Sequence, residues 1–67
     1  MIGITVNGER REVSEGKTLQ QLLEDLKINR GRVACEVNME IVRRAEDEKV
    51  VLKAGDVVEI VQMIGGG

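Results

Sequence analysis

Leu19, Leu22, Leu23 and Leu26 recur at the spacing i, i+3, i+4, i+7, a single apolar stripe along an amphipathic helix. Thr18 stands where an N-cap belongs, and Gln21 three residues later completes a capping box. Gln20, Glu24, Asp25 and Lys27 fill the wet side, and Asn29 and Gly31 are the expected left-handed exits. A helix this short is marginal alone in water, so its leucines must lie on a sheet. One helix cannot cover both faces of a sheet. The second face is therefore left to water or to a partner.

The remainder of the chain supplies strands. In residues 1–6, Ile2, Ile4 and Val6 alternate with Gly3 and Thr5, and Asn7-Gly8 follows, a two-residue hairpin signal because a type I′ turn needs positive φ at both centres. Residues 9–13 are polar and charged, as suits an edge that must discourage pairing with other chains. Val33, Cys35 and Val37 alternate in a third strand that points Cys35 inward, where a small core role suits it better than reactivity. Asn38-Met39-Glu40 connects tightly into a short fourth strand over 41–44. Residues 45–49 are charged and read as irregular, 50–52 as an extended segment tucking apolar side chains under the sheet. Gly55 takes a positive-φ turn position before the last strand, 57–64. The result is an α+β class, a ββαββ mixed sheet with one crossing helix, the ubiquitin-like β-grasp arrangement.

That last strand is the most apolar and is expected at the centre. Alternation puts Val58 and Ile60 toward the helix, and Val57, Glu59, Val61 and Met63 on the open face. Apolar side chains there, with Ile64 beside them, mark a partner-binding surface. The strand then runs without a turn into Gly65, Gly66 and Gly67. Residues 1–64 thus read as the domain and 65–67 as a bare glycine tail, which extended reaches about 10 Å, enough to enter a narrow slot.

Composition narrows the chemistry. A chain of 67 residues buries only about 60% of the surface its unfolded form exposes, leaving little room for a catalytic cleft beside a core. There is no His and one Cys, which excludes a His-based triad, a disulfide scaffold and a zinc site, and a lone Cys suits a reducing cytoplasm. The absence of aromatic residues and a net charge of −2 argue against nucleic acid, and no apolar run is long enough for a membrane span.

Val6-Asn7-Gly8, the Thr18-to-Leu26 helix, Val37-Asn38-Met39-Glu40-Ile41-Val42 with Arg44, Gly55-Asp56-Val57-Val58-Glu59-Ile60 and the closing Met63-Ile64-Gly65-Gly66-Gly67 occur in an order and spacing that resembles the ThiS family, the sulfur carrier proteins of thiamine biosynthesis. The similarity covers nearly the whole length; residues 45–49 depart from it, where family members often place an aromatic. The resemblance implies no cofactor on the chain itself. It implies adenylation of Gly67 by an E1-like adenylyltransferase using ATP and Mg²⁺, conversion to a thiocarboxylate by a sulfur-donating persulfide enzyme, and delivery to thiazole synthase. The chain would be a protein co-substrate and not an enzyme. A carrier for molybdopterin or another sulfur-transfer pathway is an alternative with the same fold and tail. A ubiquitin-like modifier would instead join Gly67 to a lysine by an isopeptide bond, and a plain interaction module would leave the glycines idle.

Overall fold

A computed structural model describes residues 1–63 of the chain. Its elements are β1 (Ile2–Val6), β2 (Glu9–Val13), α1 (Leu19–Asp25), a 3₁₀ turn (Arg30–Arg32), β3 (Val33–Val37), β4 (Glu40–Val42), a second 3₁₀ segment (Arg44–Lys49) and β5 (Val57–Gln62). The five strands form one sheet in the order β2-β1-β5-β3-β4. β1 and β5 run parallel, and every other neighbouring pair is antiparallel. This is the β-grasp fold, with the last strand at the centre and the charged β2 at an edge.

Both hairpins turn on asparagine. Asn7 (φ 50) and Gly8 (φ 84) join β1 to β2, and Asn38 (φ 54) and Met39 (φ 70) join β3 to β4. Positive φ at both centres matches the right-handed twist of the flanking strands. Met39 adopts it without glycine's freedom, a conformation that costs roughly 1–2 kcal/mol for an L-residue.

The helix begins as its sequence dictates. Thr18 Oγ1 accepts from Gln21 N–H at 3.2 Å, and Gln21 Oε1 accepts from Thr18 N–H at 3.0 Å. It ends earlier than the sequence suggested, at Asp25. The left-handed exit falls on Lys27 (φ 58), not on Asn29 or Gly31. Lys27 N–H bonds to Glu24 O and Ile28 N–H to Leu23 O, each at 3.0 Å, the paired bonds of a Schellman motif. Ile28, just past the turn, packs against the core, and that apolar contact places the exit. Asn29 caps the following 3₁₀ turn instead, accepting from Gly31 N–H.

One side of the sheet holds the core. Ile4, Val6 and Val13 from the first hairpin meet Val33, Cys35, Val42 and Val58 beneath Leu19, Leu22 and Leu23 of the helix. Leu52 completes it. The segment carrying Leu52 runs beside the helix entry, with Leu19 N–H on Val50 O at 2.9 Å and Leu52 N–H on Lys17 O at 2.8 Å. The expected tucked segment is present in part, tied by a Thr18–Val51 bridge: Leu52 is buried and Val50 partly so, whereas Val51 is 49% exposed.

The other margin of the core is closed by a polar device. β4 stops at Val42, shorter than the 41–44 expected, and residues 44–49 wind into 3₁₀ turns where an irregular stretch was expected. The winding brings Asp47 inward, 5% exposed, against Arg30, with Nε to Oδ2 at 2.5 Å. Arg30 also donates to Val33 O and Val42 O, each at 2.7 Å, so its guanidinium finishes the β3–β4 ladder where the strand has run out. The hydrogen bond that Arg30 donates to Asp47 holds the Arg30 pKa above its ordinary value, against the opposing effect of burial.

Candidate functional site

β5 divides its side chains between the two faces as alternation requires. Val58 is 0% exposed under the helix, whereas Val57 is 42%, Val61 57% and Met63 58% exposed on the other side. Ile60, expected with Val58, is partly buried against the core. Of the sequence-predicted surface residues, Val57, Val61 and Met63 are thus brought onto one open face. Ile64, Gly65, Gly66 and Gly67 lie outside the described residues.

Two members of this face were not singled out from the sequence. Ile41 is 76% exposed, and Ala34 stands directly across from Val61. Both were legible in principle: Val42 and Cys35 point into the core, so their neighbours Ile41 and Ala34 must point out. Among these apolar residues, Glu36 and Glu59 stand directly opposite each other in the β3–β5 register. Like charges in that relation disfavour the isolated sheet. On the β1–β2 side the face becomes polar, with an exposed Arg10–Glu12 pair at 3.3 Å. The Arg10 guanidinium lies over Gly3, where an added Cβ would come within 2.8 Å of Nη2.

Asparagine side chains hold β5 from both sides. Asn7 Oδ1 accepts from Ile60 N–H at 2.7 Å and Nδ2 donates to Ile60 O at 3.1 Å. Asn38 Oδ1 accepts from Val57 N–H at 2.9 Å, while its Nδ2 donates to Asp56 Oδ1 at 3.0 Å. Both carboxamides reach the strand because the I′ turns swing them back toward it. The centre strand is therefore fixed along its length up to the last described residues, with Met63 N–H still bonded to Arg32 O at 2.9 Å.

Cys35 is 0% exposed and unpaired with any other cysteine. Burial pushes its thiol up, with the nearby Arg30 charge opposing in part, so the nucleophilic thiolate is disfavoured. Among the described residues no group of three or more His, Cys, Asp or Glu is placed to hold a metal ion, and no helix is long and apolar enough to cross a membrane.

The sheet order, single helix and exposed face around the centre strand define a ubiquitin-like β-grasp protein. Residues 4–67 match the ThiS family, and the chain belongs to that family. One solved structure and one relative bear this out, and a stretch of a second, longer protein is similar to the chain. The crystal structure of the thiamine biosynthesis protein ThiS from Geobacter metallireducens superposes with a TM-score of 0.86 at 33% identity, covering 98% of this chain and 100% of that one. The sulfur carrier protein ThiS of Thermus thermophilus is 39% identical over 64 residues, 96% of this chain and 98% of its own length. The thiazole synthase of Paramagnetospirillum magneticum is 41% identical over 64 residues, 96% of this chain, which spans 20% of the length of that protein.

Proposed function

We propose that the chain is a sulfur carrier of thiamine biosynthesis, a co-substrate that carries sulfur as a thiocarboxylate on Gly67 and is itself no catalyst. The single observation that supports this best is the ThiS family match running through Gly67, at the end of the segment that β5 leads into. A carboxylate is a poor electrophile and must first be activated. In an E1-like adenylyltransferase holding ATP and Mg²⁺, a Gly67 carboxylate oxygen attacks the α-phosphorus and pyrophosphate leaves. The terminal sulfur of a persulfide on the donor enzyme then attacks the acyl carbon and AMP departs, leaving an acyl disulfide. A thiolate attacks the donor's own sulfur, the S–S bond breaks, and the thiocarboxylate is released as a new disulfide forms. Thiazole synthase draws its sulfur from that terminus.

The chain's contribution is shape and surface. Without a Cβ, glycines fit a narrow channel and adopt whatever φ and ψ it imposes. Val57, Val61, Met63 and Ile41 are exposed apolar side chains around an acidic pair, an arrangement that serves a partner better than the isolated fold. A thiazole synthase that contains a stretch resembling this chain supports the same partner here.

The test is intact-mass measurement after incubation with the adenylyltransferase, ATP, Mg²⁺ and a persulfide donor. An oxygen-for-sulfur exchange localised to Gly67 is expected, and its loss on deleting Gly67, with the thermal melt unchanged. Sulfur incorporation that survives the deletion would overturn the reading, and a lasting isopeptide adduct on a lysine would favour a modifier.

A further inference from the structure

The Asn7 clamp stops the β1–β5 ladder early and leaves an unfilled position beside the end of β5. Thr5 N–H bonds to Asp56 O and Asn7 N–H to Val58 O, each at 2.9 Å, so the even-numbered residues of β5 turn their backbone polar groups toward β1. At Ile60 the chain of β1 has already turned away through Asn7 and Gly8. The Asn7 carboxamide stands in for the missing backbone C=O and N–H of β1, giving and accepting one hydrogen bond each. Gln62 comes next with the same orientation. It faces Val33 across the β3–β5 register, but the bonds on that side belong to the odd-numbered residues, as from Met63 N–H to Arg32 O. The Gln62 N–H and C=O therefore point into the gap past the Asn7-Gly8 turn. Among the described residues nothing pairs with them there, and a Cβ added at Gly8 would meet nothing within 4 Å.

We infer that this gap is a strand-addition site, in which an extended segment of thiazole synthase pairs its backbone with the N–H and C=O of Gln62 in line with β1. The inference rests on the carrier reading above and adds to it a contact made by backbone instead of side chains. The occupant follows from the chemistry: a donor and an acceptor on one residue at strand spacing match a C=O and an N–H from successive peptide units of an extended backbone. One step earlier, an amide group from Asn7 already makes that same pair of bonds. The segment belongs to thiazole synthase, since one such protein carries a stretch like this chain within its own length. Pairing at Gln62 would grip β5 just ahead of the residues that enter the partner, and so set the depth to which Gly67 is inserted.

Cys35 offers a native ligation junction, so a synthetic 35–67 segment can carry an N-methyl group on Gln62. The methyl removes the donor and fills the gap while leaving every side chain in place. The N-methylated chain should melt as the unmodified synthetic chain does, and should bind thiazole synthase about 10-fold more weakly, as loss of one buried hydrogen bond predicts. In the unmodified chain, the Gln62 amide should exchange with solvent rapidly when free and at least about 10-fold more slowly in the complex. Equal affinity of the two chains overturns the strand-addition site while leaving the carrier reading intact. A lowered melt also overturns it, because the N–H would then be bonded within the fold. Failure of the unmodified chain to bind thiazole synthase overturns the carrier reading and this inference together.

Discussion

Val57 and Val58 are the same residue type, adjacent on the same strand, yet one is 42% exposed and the other 0%. The contrast extends to the two faces of the sheet. The helix-covered face is apolar throughout, closed at one margin by Leu52 and at the other by the Arg30–Asp47 pair. The open face, built from the alternate residues of the same strands, carries apolar side chains that nothing within the described residues covers, with Glu36 set against Glu59. One face holds the fold together. The other adds little to stability, which leaves it free to serve recognition.

Substitution on each face separates the two roles. Leu22 and Leu23 are 1% and 2% exposed, and replacing either with alanine should cost about 2–5 kcal/mol by lost transfer and cavity formation. For a domain this small that is a large share of the whole, readable as a marked fall in the denaturant midpoint. A midpoint unmoved by either change would mean that the helix does not supply the core.

The margin of the covered face should respond less. Asp47→Ala strands the Arg30 guanidinium with its two carbonyl acceptors and no counter-charge, at a cost of about 1.5–3 kcal/mol. Thermal melts of the variant would settle it; an unchanged melt would assign the pair no part in closing the sheet.

On the open face the effect on stability should nearly vanish. Val61→Glu and Met63→Glu alter exposed positions and should shift stability by no more than about 0.5 kcal/mol. Their binding to the adenylyltransferase should nevertheless drop, since an interface core tolerates an unpaired charge badly. Unfolding of either variant, or binding at full strength, would erase the distinction between the faces.

Much of this was legible in local pattern. The capping box at Thr18, the Asn7-Gly8 turn, β2 and β3 and the outward set Val57, Val61 and Met63 all rest on interactions within a few residues or on a strict period of two. Those signals survive in any context. The helix exit was not legible, because Lys27 takes a conformation that its own type disfavours, held by the packing of Ile28 against the assembled core. The charged run 44–49 gave no sign that Asp47 would be the one acid drawn inside, since only proximity to Arg30 distinguishes it from Glu46 and Glu48.

The sequence alone determined a sheet with one amphipathic helix, an apolar set left outside that helix, and a strand leading to glycines, because periodicity and turn chemistry are properties of short segments. Tertiary structure decided which strands became neighbours and how their ladders end. Asn7 reaches Ile60 across 53 positions, and Arg30 reaches Val42 and Asp47 after the chain has folded back twice. Such contacts depend on loop closure and on backbone groups left unpaired by a strand's end, quantities that exist only once the sheet has formed.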